Sequence, residues 1–170
     1  MHSNKIAHKD LKLDNILVFI GENGREVIKI SDFGNSRLRY DEEKGVIKDK
    51  EYSGTLPYMS PQILRLHCND TFGKKLDKLR EYNPFQSDCW ALGVCLYIMI
   101  TAKYPFDFKN ETFSDYEECY KNMMNRKYQI TEDIRKKYSK DCLDLIFQLL
   151  DPKPETRLSA KIVLTHKWLN

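Results

Sequence analysis

Two short apolar runs, separated by a turn, stand near the start of this 170-residue chain. Residues 16–19 and 27–30 are rich in β-branched and aromatic side chains, and Gly21-Glu22-Asn23-Gly24 lies between them. Apolar runs that flank a glycine-rich turn are typical of a β-hairpin. Residues 32–60 are polar and charged and have no clear period, which indicates a long loop that is either functional or disordered.

From residue 60 onward the pattern of apolar positions is helical. Residues 85–101 are apolar on nearly every side, as expected for a helix buried in a core rather than lying on a surface. A short helix is predicted to begin at Pro61, and the charged, irregular residues 65–84 are predicted to form a surface insertion. The chain is therefore predicted to form one α+β domain over residues 1–170, mainly helical, with a small β-hairpin near its start.

Three further helices are predicted in the last third of the chain. Two amphipathic patterns cover residues 114–126 and 139–150, and a third helix is expected to reach Trp168. Ser114, Ser139 and Ser159 are the expected N-caps, because a serine hydroxyl can accept a hydrogen bond from a free amide of the first helical turn. The predicted body is thus a set of short helices around the buried one.

Composition and charge narrow the functional classes. The chain is 41% hydrophobic and 31% charged, and its net charge of +3 is too small to indicate a nucleic acid or a membrane as partner. Its longest apolar stretch, residues 89–102, is too short to cross a bilayer. Five scattered cysteines without a Cys-x-x-Cys pair favour buried thiols in a reducing intracellular compartment, the cytoplasm, over disulfides or a zinc site.

Residues of defined chemistry stand on both sides of the predicted hairpin. Asp10 can accept a proton from an attacking hydroxyl, and Lys12 can offset negative charge on a transferred phosphoryl group. Asn15 and Asp32 supply the oxygen ligands that Mg²⁺ prefers, and the hairpin between them returns the chain so that they become neighbours. Any one of these residues alone is more often a cap or turn residue. Their joint order is what indicates phosphoryl transfer.

Five ordered motifs carry a resemblance to a known family. They are His8-Lys9-Asp10 with Asn15, Asp32-Phe33-Gly34, and the segments 54–62, 88–94 and 151–168. The chain resembles the C-terminal lobe of the eukaryotic serine/threonine protein kinases. Within that family its sequence is similar to the calcium/calmodulin-dependent group, including the testis-specific serine kinases. The resemblance implies a mainly helical kinase lobe and an enzyme that uses ATP and Mg²⁺ to phosphorylate Ser or Thr of a protein substrate.

The same resemblance implies roles at the reaction centre. Asp10 would be the catalytic base, and Thr55 would support Asp10 and Lys12 by hydrogen bonding. Lys12 is also similar to the residue that marks the serine/threonine subclass. Asn15 and Asp32 would bind both the cofactor and its metal ion.

Other implied roles are structural or concern the nucleotide. Leu17 would contact the adenine ring. His8 and Phe33, with Gly34 beside them, would stack in the family's regulatory core column. Asp88, a buried carboxylate in need of hydrogen-bond donors, would anchor the catalytic loop through backbone amides.

Lys9 stands where the family has an arginine that grips a phosphate on the activation segment. Lysine provides a point charge without the bidentate fork of arginine. Glu51, four residues before Thr55, stands at the usual phosphorylated threonine. We therefore expect Lys9 to pair with Glu51, so that a fixed contact replaces a regulated one. The alternative is two exposed charges that contribute nothing to stability.

Gln62 is a second departure from the family's pattern. The family has a glutamate there, paired with the arginine that corresponds to Arg157. Either Gln62 still satisfies Arg157 through a hydrogen bond, or this region is less rigid. We expect some loss of stability rather than loss of the fold.

The third departure is the absence of the family's N-terminal lobe ahead of the catalytic loop in this sequence. That lobe supplies the glycine-rich loop and the strand lysine that hold ATP. The resemblance therefore predicts weak ATP binding by this chain alone and an exposed apolar cleft face, which the missing lobe or a partner chain would cover. The alternative function is a non-catalytic interaction module; intact Asp10, Asn15 and Asp32 favour the enzyme, and the missing ATP clamp favours the module.

Overall fold

The computed structural model describes residues 1–73, 81–110 and 112–170. In these ranges six α-helices and three two-stranded antiparallel ladders make up a mainly helical α+β fold, which confirms the predicted class. The helices are α1 (Pro61–Phe72), α2 (Pro84–Thr101), α3 (Phe113–Met124), α4 (Glu132–Lys137), α5 (Lys140–Leu149) and α6 (Ala160–Val163). The strands are β1 (Ile6–Ala7), β2 (Ile16–Ile20), β3 (Glu26–Ile30), β4 (Arg37–Leu38), β5 (Tyr40–Asp41) and β6 (Gly45–Val46).

The helix α2 supplies much of the hydrophobic core, and its prediction from residues 85–101 is confirmed. Asn83 starts it, because its side-chain oxygen accepts hydrogen bonds from the amides of the first turn. Trp90 is fully buried and stacks on Phe106; burying such a ring stabilises the fold by about 2–3 kcal/mol. A Cβ atom on Gly93 would lie 2.8 Å from the Cβ of Leu149, so α2 and α5 can pack this closely only with glycine at this position.

Part of the predicted surface insertion at 65–84 belongs to the core, which corrects that prediction. The helix α1 begins after the N-cap Ser60 and continues to Phe72, with Cys68 completely buried. Arg65 is only 5% exposed, and its guanidinium donates a 2.8 Å hydrogen bond to the carbonyl oxygen of Glu81. Residues 74–80 of the predicted insertion lie outside the described residues.

The predicted helix ends are right in some places and wrong in others. Ser139 caps α5 and Ser159 caps α6, as predicted. The cap of α3 is Thr112 rather than Ser114, because the Thr112 hydroxyl and the Asp115 carboxylate form a reciprocal capping box. The last helix was expected to reach Trp168 but ends at Val163, and α4 was not predicted.

The predicted β-hairpin is formed by β2 and β3. In its ladder Val18 pairs with Ile28 and Ile16 pairs with Ile30. Successive side chains of a strand point to opposite faces, and here apolar side chains are exposed on both faces of the hairpin. On one face Val18 is 60% exposed and Ile28 is 68% exposed, and on the other face Phe19 is 47% exposed. The long segment 32–60 is not wholly irregular, since β4 pairs with β1 and β5 pairs with β6.

All five cysteines are free and buried, as expected for small packing residues. Burial raises the pKa of the thiols, to about 11 for Cys68 and to about 12 for Cys95. No helix among the described residues is long and apolar enough to cross a membrane.

Candidate functional site

The buried carboxylate of Asp88, on α2, holds the loop that precedes the hairpin. One oxygen accepts a 2.8 Å hydrogen bond from the backbone amide of His8, and the other accepts a 2.9 Å bond from the amide of Lys9. The first oxygen also lies 2.8 Å from Nε2 of His2. A carboxylate that is 3% exposed requires such donors, and these bonds attach the loop to the core. The contact with His2 was not predicted from the sequence.

Asp10, Thr55 and Lys12 form a connected polar cluster. The Thr55 hydroxyl donates a 2.8 Å hydrogen bond to Oδ1 of Asp10 and accepts a 2.9 Å bond from Nζ of Lys12. Nζ of Lys12 lies 3.4 Å from Oδ2 of Asp10. The structure thus brings together the three residues that were predicted to be catalytic, with the threonine hydroxyl between the carboxylate of Asp10 and the ammonium of Lys12.

The close approach of the two segments in this cluster depends on Gly54. Its φ is +110°, and a Cβ atom there would lie 2.9 Å from the carbonyl oxygen of Lys9. Lys9 itself has a φ of +71°, an uncommon conformation for a residue with a side chain. The loop therefore reaches Thr55 through two backbone conformations that are rare outside glycine, and the surrounding hydrogen bonds hold them.

Asn15 and Asp32 stand at the two ends of the hairpin. The Asn15 side chain donates a 2.9 Å hydrogen bond to the carbonyl oxygen of Asp10. The amide of Ser31, next to Asp32, donates a 2.8 Å bond to the carbonyl oxygen of Asn15. The hairpin thus returns the chain so that the residue before Asp32 is bonded to Asn15.

The chemistry of these two side chains fits a hard cation. Asn15 uses its amide nitrogen for the bond to Asp10, and within the described residues its side-chain oxygen has no hydrogen-bond donor. Asp32 is exposed and receives one long bond, 3.4 Å, from the amide of Gly34. One neutral and one anionic oxygen ligand suit Mg²⁺, which also retains several waters in its usual sites.

His8 contacts Ser31 and Phe33, the two neighbours of Asp32, and also the loop that carries Asp10. Its Nε2 donates a 2.9 Å hydrogen bond to the carbonyl oxygen of Ser31, and its Nδ1 accepts a 3.3 Å bond from the amide of Asp10. These two partners together select one tautomer, because a carbonyl oxygen only accepts. The Phe33 ring packs edge-on against His8, with centroids 5.1 Å apart, although Phe33 is 50% exposed.

Leu17, on β2, is 38% exposed and is available to an apolar ligand.

Lys9 does not pair with Glu51, and that hypothesis is wrong. Nζ of Lys9 lies 2.7 Å from Oδ2 of Asp49, and a guanidinium nitrogen of Arg39 lies 3.1 Å from the same oxygen. Asp49 is 5% exposed, whereas Glu51 is exposed. Burial alone would raise the pKa of Asp49, but the hydrogen bond and charge of Lys9 and the charge of Arg39 outweigh it and hold the pKa below its usual value of 3.8.

Sequence reasoning missed Asp49 because its position cannot be read from its neighbours. The residue lies in the run Lys48-Asp49-Lys50-Glu51, in which both acids are equally plausible partners for a lysine. A backbone bridge between Asp49 and Tyr82, 33 positions along the chain, turns the Asp49 side chain into the protein. No local signal in the sequence marks that bridge.

Gln62 and Arg157 are in contact, so the first of the two alternatives for this pair is the correct one. The guanidinium donates a 3.0 Å hydrogen bond to Oε1 of Gln62. It also donates to the carbonyl oxygens of Gln86, Asp151 and Pro152. Burial lowers the pKa of Arg157 to about 10, which is still far enough above neutral pH to keep the side chain charged.

Comparison with known proteins gives one consistent result. The family described as protein kinase domain matches residues 1–169. Serine/threonine-protein kinase SRK2I of Arabidopsis thaliana is 32% identical over 169 residues, which cover 98% of this chain and 40% of that protein. Serine/threonine-protein kinase 17A of Oryctolagus cuniculus is 34% identical over 173 residues, with coverage of 99% and 36%.

A third relative is calcium-dependent protein kinase 6 of Plasmodium berghei, 34% identical over 170 residues, which cover 99% of this chain and 10% of that protein. The chain therefore spans 40% or less of the length of these three relatives.

Proposed function

Because this chain belongs to the protein kinase domain family, we propose that the protein containing it transfers the γ-phosphoryl group of ATP to serine or threonine hydroxyls of protein substrates. The observation that carries the proposal is the cluster of Asp10, Thr55 and Lys12. It joins a carboxylate, a hydroxyl and an ammonium within hydrogen-bonding distance, and Asn15, one of the two potential metal ligands, is bonded to the backbone of Asp10. Positioning and electrostatic stabilisation of this kind are the main requirements of phosphoryl transfer.

Asp10 orients the substrate hydroxyl and accepts its proton as the new oxygen–phosphorus bond forms. The bond between the γ-phosphorus and the bridging oxygen breaks at the same stage, and ADP leaves with the electron pair. The Thr55 hydroxyl fixes Oδ1 of Asp10 by its 2.8 Å bond, so that Oδ2 faces the ammonium of Lys12. Lys12 offsets the negative charge that builds up on the transferred group.

Asn15 and Asp32 would hold Mg²⁺ through their side-chain oxygens, as their donor chemistry allows. The ion would neutralise charge on the phosphates and orient them. The bond from Asn15 to the carbonyl oxygen of Asp10 ties this ligand to the catalytic loop. Asp88 supports the same loop from the core through its bonds to the amides of His8 and Lys9.

Leu17 would contact the adenine ring, and the hairpin that carries it would be covered by an N-terminal lobe or a partner chain. The support for this cover is the exposure of apolar side chains on both faces of the hairpin, which an isolated two-stranded ladder cannot bury.

The absence of disulfides among five buried cysteines supports an intracellular, cytoplasmic location. The identity of a relative as a calcium-dependent kinase supports placement near the calcium/calmodulin-dependent group.

The test is phosphate transfer from radiolabelled ATP to a serine/threonine peptide library by the full-length protein. We expect Asp10→Asn to lower the rate at least about 100-fold, because the proton acceptor is lost, a loss of about 2.7 kcal/mol in transition-state stabilisation. Thermal stabilisation by Mg²⁺ and ATP should persist in this variant, since a ligand that binds only the folded state raises its stability. Asp70→Asn, an exposed change on α1, is the matched control.

Two further variants separate the proposed chemistry from a non-catalytic role. Thr55→Val should lower the rate about 10-fold or more, because valine lacks the hydroxyl that is bonded to Asp10. Thr55→Ser keeps that hydroxyl and should retain the wild-type rate. Transfer by Asp10→Asn at the wild-type rate would contradict the mechanism. No transfer by the wild-type protein, together with intact folding, would favour the interaction module.

A further inference from the structure

Three charged side chains from separate segments meet beside the catalytic loop. Lys9 comes from the loop itself, Arg39 lies between β4 and β5, and Asp49 follows β6. The two cations contact the same carboxylate oxygen, at 2.7 Å from Nζ of Lys9 and at 3.1 Å from the Arg39 guanidinium. The side chains of Lys9 and Asp49 are each only 7% exposed, so water cannot replace either partner.

Asp49 is fixed in place by the backbone rather than by its side chain alone. Its amide donates a 2.8 Å hydrogen bond to the carbonyl oxygen of Tyr82, and the amide of Tyr82 returns a 2.8 Å bond to the carbonyl oxygen of Asp49. An ion pair at 3.1 Å between Lys48 and Glu81 stands next to this bridge. Tyr82 is 2% exposed and directly precedes Asn83, the residue that caps α2. The segment around residue 49 is therefore attached to the start of α2.

Lys9 is consequently held at two points, one on α2 and the other on a segment attached to the residue just before the cap of α2. Its backbone amide is bonded to Asp88, on α2, and its side chain is bonded to Asp49, which is joined to the residue before the cap. Between these two points the backbone of Lys9 keeps a φ of +71°. A conformation of this kind persists only when the surroundings over-determine it. The next residue along the chain is Asp10.

We propose that Asp49 is a positioning residue for Asp10 and acts as a permanent anion that holds Lys9 and Arg39. The proposal rests on the proposed function and deepens it. The Asp49 carboxylate already forms ion pairs with both cations. Segment 35–54 therefore holds the catalytic loop in this arrangement without phosphorylation of a residue in the segment. Removing the carboxylate strands two cations in a largely buried site, which disturbs the loop more than loss of an exposed ion pair would.

The experiment compares variants of the full-length protein. Asp49→Asn keeps the shape and removes the charge, Asp49→Glu restores the charge, and Lys9→Met with Asp49→Asn also removes one of the two stranded cations. Glu51→Gln, at an exposed neighbouring acid with no ion pair among the described side chains, is the matched control. The readouts are kcat and KM for a peptide substrate, and backbone hydrogen exchange at residues 8–10 and 47–51.

We expect Asp49→Asn to lower kcat about 10-fold or more, because the variant displaces the catalytic base Asp10. KM for the peptide should stay within about twofold, because Asp49 is buried and does not itself bind the peptide. Exchange at residues 8–10 should accelerate, Asp49→Glu should recover at least about a third of kcat, and Glu51→Gln should match the wild type. The double variant should exchange more slowly at residues 8–10 than Asp49→Asn. Phosphatase treatment of the wild-type protein should leave kcat unchanged.

Unaltered kcat and exchange in Asp49→Asn would overturn the proposal, as would equal losses in Glu51→Gln and Asp49→Asn or loss of activity on phosphatase treatment. If Asp49→Asn fails to fold, the double variant is compared with the wild type instead, since it leaves fewer unpaired charges. If the wild-type protein transfers no phosphate, the proposed function fails, and the hydrogen-exchange result at residues 8–10 still decides whether Asp49 holds the loop.

Discussion

Gln62 accepts a 3.0 Å hydrogen bond from the buried guanidinium of Arg157 and donates a 2.7 Å bond to the carbonyl oxygen of Pro152. One neutral side chain thus satisfies a buried cation and a buried carbonyl oxygen together. The α1 helix, which carries Gln62, is connected in this way to the segment that follows α5. The remaining guanidinium bonds go to backbone carbonyl oxygens, so each of the three guanidinium nitrogens of Arg157 has a hydrogen-bond partner that is not a carboxylate.

Gln62→Ala should destabilise the protein by about 1–3 kcal/mol, because it removes the side-chain acceptor of one Arg157 donor and the shorter of the two hydrogen bonds to the oxygen of Pro152. For a domain of this size each kcal/mol lowers Tm by roughly 2–4 °C. Gln129→Ala, at an exposed glutamine, is the control and should stay within about 0.5 kcal/mol of the wild type. Equal thermal unfolding curves for both variants would show that the buried bonds contribute nothing.

Asp88→Asn should destabilise the catalytic loop and the protein together. Both carboxylate oxygens accept bonds from backbone amides, so an asparagine must place its NH₂ group against one of those donors. We expect a loss of about 2–3 kcal/mol in urea-induced unfolding, since hydrogen bonds to charged groups are the stronger ones. Exchange of the His8 and Lys9 amides should accelerate in the same variant. Unchanged protection of these two amides, with Asp70→Asn as the reference, is the result that contradicts the prediction.

The Asp49 carboxylate should make stability depend on acid pH. Its pKa in the folded protein lies below the value of 3.8 expected when unfolded, so the unfolded chain binds its proton first as pH falls. The contribution of Asp49 is therefore fully present above pH 3.8 and is lost as pH falls through the lower folded pKa. Unfolding free energies of the wild type and Asp49→Asn should converge below this range and differ by a constant amount above it. A difference that does not change with pH would refute the assignment.

The exposed apolar side chains of the hairpin should contribute to thermal stability and to ATP binding in the full-length protein. Val18 and Ile28 face each other in the ladder and are 60% and 68% exposed. If a further lobe covers them, Val18→Thr with Ile28→Thr should lower the Tm of the full-length protein and weaken ATP binding about 10-fold, through lost apolar burial. Ile162→Thr with Leu164→Thr, which alters two exposed apolar residues far along the chain, should leave ATP binding unchanged. Equal ATP affinity in the two double variants would indicate that the hairpin is uncovered.

The elements predicted correctly from the sequence are those whose signal is local. The hairpin follows from two β-branched runs around a glycine-rich turn, and α2 follows from the long apolar stretch at residues 85–101. The end of α1 was missed because Arg65 and Cys68 are buried by distant segments, which composition cannot reveal. The choice between Thr112 and Ser114 as cap depended on which side chain could reach Asp115.

The order of Asp10, Lys12, Asn15 and Asp32 along the chain was enough to indicate the candidate chemistry, because each residue type can do only a few things and their spacing crosses one hairpin. The role of Thr55 was implied by the family resemblance. The partner of Lys9 was decided only in three dimensions. Asp49 and Glu51 are two positions apart in one charged run, and the backbone bridge to Tyr82 buries the first and leaves the second in water. A sequence determines which charges are available, whereas pairing requires a distance and a dielectric environment, and both arise only when remote segments pack.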